Sequence, residues 1–184
     1  MIVESVSKKI ATYLYENTNN KEKFTYNKLY YGLQIIVNFV IVTIALLILS
    51  VTLGVFIKAL YLFIATLLLR QFSGGIHLKT SEACAVASVL ILLVIVLLPR
   101  FEWIIWMDVV SVAMIGLFAP ATFKVSKERR PKPYYIMKSV SVLIVLLNML
   151  VIKDFYISLI YLIQSVSVVW EHYRLKIKYE EVQK

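Results

Sequence analysis

The 184-residue chain is poor in the residues that most enzymes use for chemistry: one cysteine, two histidines, five glycines and four prolines. One thiol forms no intrachain disulfide. One cysteine and two histidines do not complete an ordinary closed structural zinc site without carboxylates, and no metal site is expected. The glycines, Gly32, Gly54, Gly74, Gly75 and Gly116, match neither a Rossmann fingerprint nor a P-loop. No cofactor is therefore expected. Charged residues make up 17% of the chain, against about 25% in a soluble domain. The first 29 residues carry both charge signs and no opening apolar run, so they do not read as a signal peptide.

What fills the chain instead is apolar side chain, 60% of all residues, with a mean hydropathy of +0.79. A water-soluble globule of this size could not hide that much apolar surface. The bilayer is the solvent to assume, and the expected class is an all-α, polytopic integral-membrane helical bundle. Apolar runs near 31–51, 55–69, 84–98, 103–123, 136–152 and 155–170 predict about six spans. Four spans with re-entrant segments is the alternative. Short turns are expected around Gly54, Pro99–Arg100 and Lys153–Asp154. Ahead of the spans, residues 1–29 hold an amphipathic segment with Ile2, Val6, Ile10 and Leu14 at helical spacing. It either lies on the membrane surface or packs on the protein. Residues 1–184 read as one integral-membrane domain.

The net charge is +9. In a soluble protein this would suggest nucleic acid. Here the basic residues lie between apolar runs, so lipid headgroups and topology account for them and no nucleic-acid partner is expected. With six spans, 17 of the 20 Lys and Arg fall on segments 1–30, 70–83, 124–138 and 171–184. That bias predicts a multi-pass protein of the cell membrane with both termini in the cytoplasm.

The remaining chemistry gathers in the cytoplasmic loop from Arg70 to Cys84, RQFSGGIHLKTSEAC. It contains the only cysteine, the only Gly–Gly pair and one of the two histidines. A thiol attacks a carbonyl as thiolate, and an imidazole can take its proton. In a continuous helix, positions 77 and 84 would share a face about 10 Å apart along the axis. The pair therefore requires a chain break. Thr80 or Ser81 can cap a new helix with Glu82 in its first turn. Cys84 would then start that helix, where the dipole favours a thiolate. Gly74 and Gly75 permit an open turn whose N–H groups can stabilise an oxyanion. Glu82 or a loop hydroxyl such as Ser81 can orient His77. Read alone, Cys84 is either a nucleophile or inert packing, and His77 either its base or a solvated loop residue.

The run Arg70…Gly74-Gly75-x-His77-x6-Cys84 resembles the signature of the accessory gene regulator B (AgrB) family of membrane cysteine endopeptidases. Length, hydropathy and the basic, proline-containing loop after Ala119-Pro120 are also similar. The resemblance implies His77 and Cys84 as catalytic residues, with Arg70, Gly74 and Gly75 matching the family's arginine and glycines. It implies an AgrD-like pro-peptide partner, cut near its C-terminus through a Cys84 thioester. Release of a cyclic thiolactone or lactone autoinducing peptide for quorum sensing follows.

The densest charge cluster is the segment 124–138. It is either a positive-inside anchor or a clamp for an acidic peptide tail, formed by Lys127, Arg129, Arg130 and Lys132. Arg70 either joins that clamp or ends its span by snorkelling. Asp108 and Lys58 are placed near outer span ends, solvated at the interface. Gln34, Asn38, Asn148 and Gln164 are candidate interhelical hydrogen-bonding groups or cavity residues, and the polar faces permit a homodimer. Two rival readings lack the covalent step. One is a small peptide transporter or channel, and the other a structural partner in a larger membrane complex.

Overall fold

The computed structural model of the chain describes residues 2–17, 25–76, 78, 80–102, 104–121 and 132–182. His77, Lys79 and the segment 122–131, with Lys127, Arg129 and Arg130, lie outside the described residues. Among the described residues the architecture is all-helical. Seven α-helices follow in order: α1 Ile2–Glu16, α2 Tyr26–Thr52, α3 Phe56–Ser73, α4 Ser81–Leu97, α5 Ile104–Phe118, α6 Lys132–Leu147 and α7 Phe155–Val182. A π-helical turn, Asn148–Ile152, extends α6. The expected apolar runs coincide with α2 to α7.

Three segments are long and apolar enough to cross a membrane: Tyr26–Thr52, Phe56–Ser73 and Pro133–Ile152. Glu82–Leu97 and Ile105–Phe118 are shorter apolar helices. The 17 residues of α4 reach about 26 Å, against a hydrocarbon core of about 30 Å. Serines and Gln164 interrupt the apolar run of α7. The six-span expectation thus reduces to three helices that meet the length and composition of a span unaided.

The chain divides into two compact units, Met1–Phe56 with Leu78–Leu93, and Ile57–His77 with Val94–Lys184. In the first unit α1 packs on α2. The buried face of α1 is Val3, Ser7 and Ala11, not the apolar stripe read from the sequence. Val6, Ile10 and Leu14, on the flank of that face, remain 38–40% exposed. Tyr26 anchors the pair, its ring edge-on to Tyr15 at 5.8 Å and its hydroxyl 3.5 Å from Thr12 Oγ1. Helix α2 buries only Val42, Leu46 and Ser50 and turns Ile36, Phe39, Ile44 and Ile48 outward, the pattern of a helix solvated by lipid tails.

Helix α2 ends as the sequence suggests. Gly54 takes φ +68°. Its N–H donates to the Val51 carbonyl, and the Val55 N–H reaches back to Ser50 at 2.9 Å. This Schellman arrangement satisfies terminal carbonyls that lipid cannot.

In the second unit α5 packs against α7 and α6. Lipid tails are as apolar as leucine, so association relies on close packing and polar contacts. Buried Ser111, Ser141 and Ser165 keep these interfaces small. Each returns its hydroxyl to a carbonyl of its own helix at 2.7–2.8 Å.

The expectation for Asp108 is corrected. Its side chain is fully buried and not solvated at an outer interface. The Asn148 amide donates to its two carboxyl oxygens at 3.2 and 3.3 Å, and the Ser158 hydroxyl donates at 3.0 Å. Asn148 also donates to Ser158 Oγ at 2.9 Å and accepts from the Asp154 N–H at 3.3 Å. Asp154 in turn caps α7, with Oδ1 accepting from the Tyr156 and Ile157 N–H groups at 3.0 and 3.1 Å. The turn at Lys153–Asp154 is therefore fixed from within. Lys58, also expected near an outer end, is exposed and lies over the Tyr156 ring, 5.4 Å from its centroid.

Removing the Asn148 amide leaves a buried carboxyl short of donors. Asn148→Ala is expected to cost about 1–3 kcal/mol and to lower the thermal unfolding midpoint in detergent. Leu147→Ala, at a position 50% exposed, should leave it within error. Equal midpoints for the two variants would refute the role of Asn148.

Candidate active site

The loop singled out in the sequence lies where two helices stop. A continuous helix could not pair positions 77 and 84, and the required break is present: α3 ends at Ser73 and α4 begins at Ser81. Gly74 terminates α3 at φ +73°, and its N–H makes the last helical bond, to the Arg70 carbonyl at 3.0 Å. That N–H is thus engaged, not turned toward a substrate. Gly75 follows at φ +145°. Both glycines are buried.

Three protein groups hold this turn. The half-buried Arg70 donates from Nη2 to the Ile76 carbonyl at 2.9 Å. Gln164 of α7, 7% exposed, donates from Nε2 to the Gly74 carbonyl and lies 3.4 Å from Ser73 Oγ. The Ala121 N–H donates to the Ser73 carbonyl at 3.0 Å. Arg70 therefore closes its own loop, a role that neither the clamp nor the snorkelling reading anticipated.

Helix α4 restarts on Thr80. Its hydroxyl accepts from the Ala83 N–H at 3.2 Å, the bond of an N-cap to the third helical residue. Of the two capping candidates, Thr80 is the one used. Cys84 sits one residue further, its N–H donating to the Thr80 carbonyl at 3.2 Å. Its side chain is half-buried, within the first turns of a capped helix. Ser88 donates to the Cys84 carbonyl at 2.8 Å. Glu82, half-buried, accepts from the Val3 N–H at 3.3 Å, tying the start of α1 to the start of α4. A carboxylate suits an uncapped helix N-terminus. Lys132 is the first residue of α6. His172, the second histidine, stacks edge-on against Phe118 at 5.3 Å.

Among the described residues, the chain is an all-helical protein with apolar helices long enough to span a membrane, and its single thiol stands at a capped helix start. The sequence profile of accessory gene regulator B matches residues 7–175. The chain belongs to the accessory gene regulator B family. It is similar to the accessory gene regulator protein B of Staphylococcus aureus strain bovine RF122 / ET3-1, at 28% identity over 160 residues. The match covers 79% of this chain and 81% of the relative. The proteins of the same name from strains JH9 and N315 are 28% identical over 163 residues, with the same coverage. No solved structure matches the chain.

Sequence reasoning located the break and the cap. It missed the partners that hold the turn. Gln164 was legible as a candidate interhelical hydrogen-bonding group, which its bond to the Gly74 carbonyl bears out, but not as a partner of this turn.

The cap supplies a direct check. Thr80→Val should cost about 1 kcal/mol and speed amide hydrogen exchange at Ala83, while Thr80→Ser keeps the wild-type rate. Unchanged exchange in the valine variant would remove the cap from the description of the site.

Proposed function

We propose that this chain is a membrane-embedded cysteine endopeptidase that cuts an AgrD-like pro-peptide and releases a cyclic peptide. The observation that carries the reading is the position of Cys84, at the capped start of α4, in a chain of the accessory gene regulator B family. His77 is the proposed base. It follows the buried glycine turn, and the break between α3 and α4 removes the helical geometry that would keep positions 77 and 84 about 10 Å apart.

In the proposed reaction His77 takes the Cys84 proton, and the thiolate attacks the carbonyl carbon of the scissile peptide bond. The oxyanion collapses, the C–N bond breaks, and the departing amine takes the proton from His77. The C-terminal fragment leaves and the N-terminal part remains as a Cys84 thioester. A thiol or hydroxyl within the bound peptide then yields its proton to His77 and attacks the thioester. The product is a thiolactone or lactone, and the Cys84 thiolate regains its proton. Exchange between thioesters is nearly balanced in energy, whereas hydrolysis runs downhill. The site must therefore exclude water while it orients the internal nucleophile.

Gly75 offers an N–H for the oxyanion. Ser81 is the proposed orienting hydroxyl for His77, since Glu82 is already engaged with α1. Arg70 serves the site through the turn it closes. Lys127, Arg129, Arg130 and Lys132 are proposed to receive an acidic substrate tail at the cytoplasmic face, with both termini on that side. The exposed apolar stripe of α1, with Lys8 and Lys9 beside it, suits the membrane interface.

Two outcomes are expected. Cys84→Ala abolishes cleavage of a co-expressed pro-peptide, and His77→Ala slows it roughly 100-fold or more, read by mass spectrometry of the released fragments. Cleavage at the wild-type rate in either variant ends the proposal. Neutralising Lys127, Arg129, Arg130 and Lys132 together should weaken binding of an acidic-tailed peptide, with a larger deficit at low salt than at high. An affinity unchanged and flat with salt would leave those residues a purely topological role.

A further inference from the structure

Two residues of α7 meet the glycine turn more closely than packing requires. A Cβ on Gly75 would lie 2.8 Å from Gln164 Nε2 and 2.8 Å from Ser167 Oγ. A side chain there would push these two side-chain ends aside, and the backbone at φ +145° is one that other residues rarely adopt. The Gln164 amide donates to the Gly74 carbonyl, and the Ser167 hydroxyl is anchored to the Gln164 carbonyl at 2.8 Å. The Gln164 side chain is buried, so a lost partner cannot be replaced freely by water. A primary amide buried in an apolar helix is costly unless it is used, and here its donor is spent on a loop 90 residues away in the chain.

We infer that Gln164, backed by Ser167, is a positioning residue for the catalytic turn. It fixes the backbone of Gly74 and Gly75 from α7 and so sets the direction in which the chain leaves toward position 77. The inference rests on the reading of His77 and Cys84 as base and nucleophile. Gln164 touches neither the reacting atoms nor the substrate. Its effect passes through the carbonyl of Gly74 and the contact with Gly75, while Arg70 holds the far side of the same turn at Ile76. With the donor removed, the Gly74 carbonyl keeps only the Ser73 hydroxyl, at 3.2 Å, and the tie between the turn and α7 is lost.

The single cysteine makes a substrate-free test possible. The full-length protein in detergent or liposomes is alkylated with iodoacetamide, and the rate at pH 7 is divided by the rate at pH 9. An imidazole that takes the thiol proton keeps this ratio high, and its loss is expected to lower the ratio about tenfold. Gln164→Met retains length and bulk but has no donor, and it should lower the ratio nearly as far as His77→Ala. Gly75→Ala reaches the same contact from the loop side and should do likewise, which protects the test against one variant failing to fold. Ser165→Ala, whose hydroxyl serves Leu162 and Met114, should leave the ratio unchanged. If His77→Ala lowers the ratio and Gln164→Met does not, the positioning role is overturned and the peptidase reading stands. A Ser165→Ala effect as large as that of Gln164→Met would also overturn it, as general loosening of α7. If His77→Ala itself changes nothing, the histidine–cysteine pair fails and the positioning role fails with it.

Discussion

In hydrocarbon a backbone N–H or C=O finds no water, and each break in a helix must be repaired by the protein itself. This constraint explains where the polar residues of a 60% apolar chain are spent. The break after α2 is repaired by backbone alone, through the Gly54 Schellman bonds. The break between α6 and α7 needs side chains. Asn148 bonds across it to Asp108, Ser158 and Asp154, and Asp154 caps the next helix. The break between α3 and α4 is the longest of these three, and it draws on Arg70, Gln164 and Thr80.

These three repairs differ in what they leave available. The first two close on themselves and leave a tight connection. The third holds each end separately, with a glycine turn on one side and a capped helix start on the other. Under the proposed function, the structural and catalytic demands of the chain would meet at this one break.

Much of this was legible in the sequence, for physical reasons. Apolar runs report helices because lipid leaves few other structures open, and α2 to α7 fall where the runs lie. Caps and glycine stops are local chemistry, so the turns at Gly54 and Thr80 could be read from neighbours in the chain. Long-range pairing could not. Asp108 reads as an interfacial carboxylate until Asn148, 40 residues away, is seen to bind it. The stripe on α1 reads as facing either the membrane or the protein, and it is Val3, Ser7 and Ala11 that pack. A membrane removes the usual signal here, because an apolar face is equally content against lipid or protein. Gln164 reads as an interhelical hydrogen-bonding candidate, but its place at the glycine turn, with Ser167 beside it, is seen only in the fold.

The bond from the Val3 N–H to Glu82 has a consequence for synthesis. Its partners are 79 residues apart, and the unit it closes is interrupted by part of the other. At about 5–20 residues per second, a ribosome takes about 4–16 s to deliver Glu82 after Val3. Throughout that interval α1 and α2 exist without the start of α4. The contact that Val3 makes with Glu82 therefore forms only after the chain has passed through α2 and α3, so α1 is made well before the helix that carries the thiol.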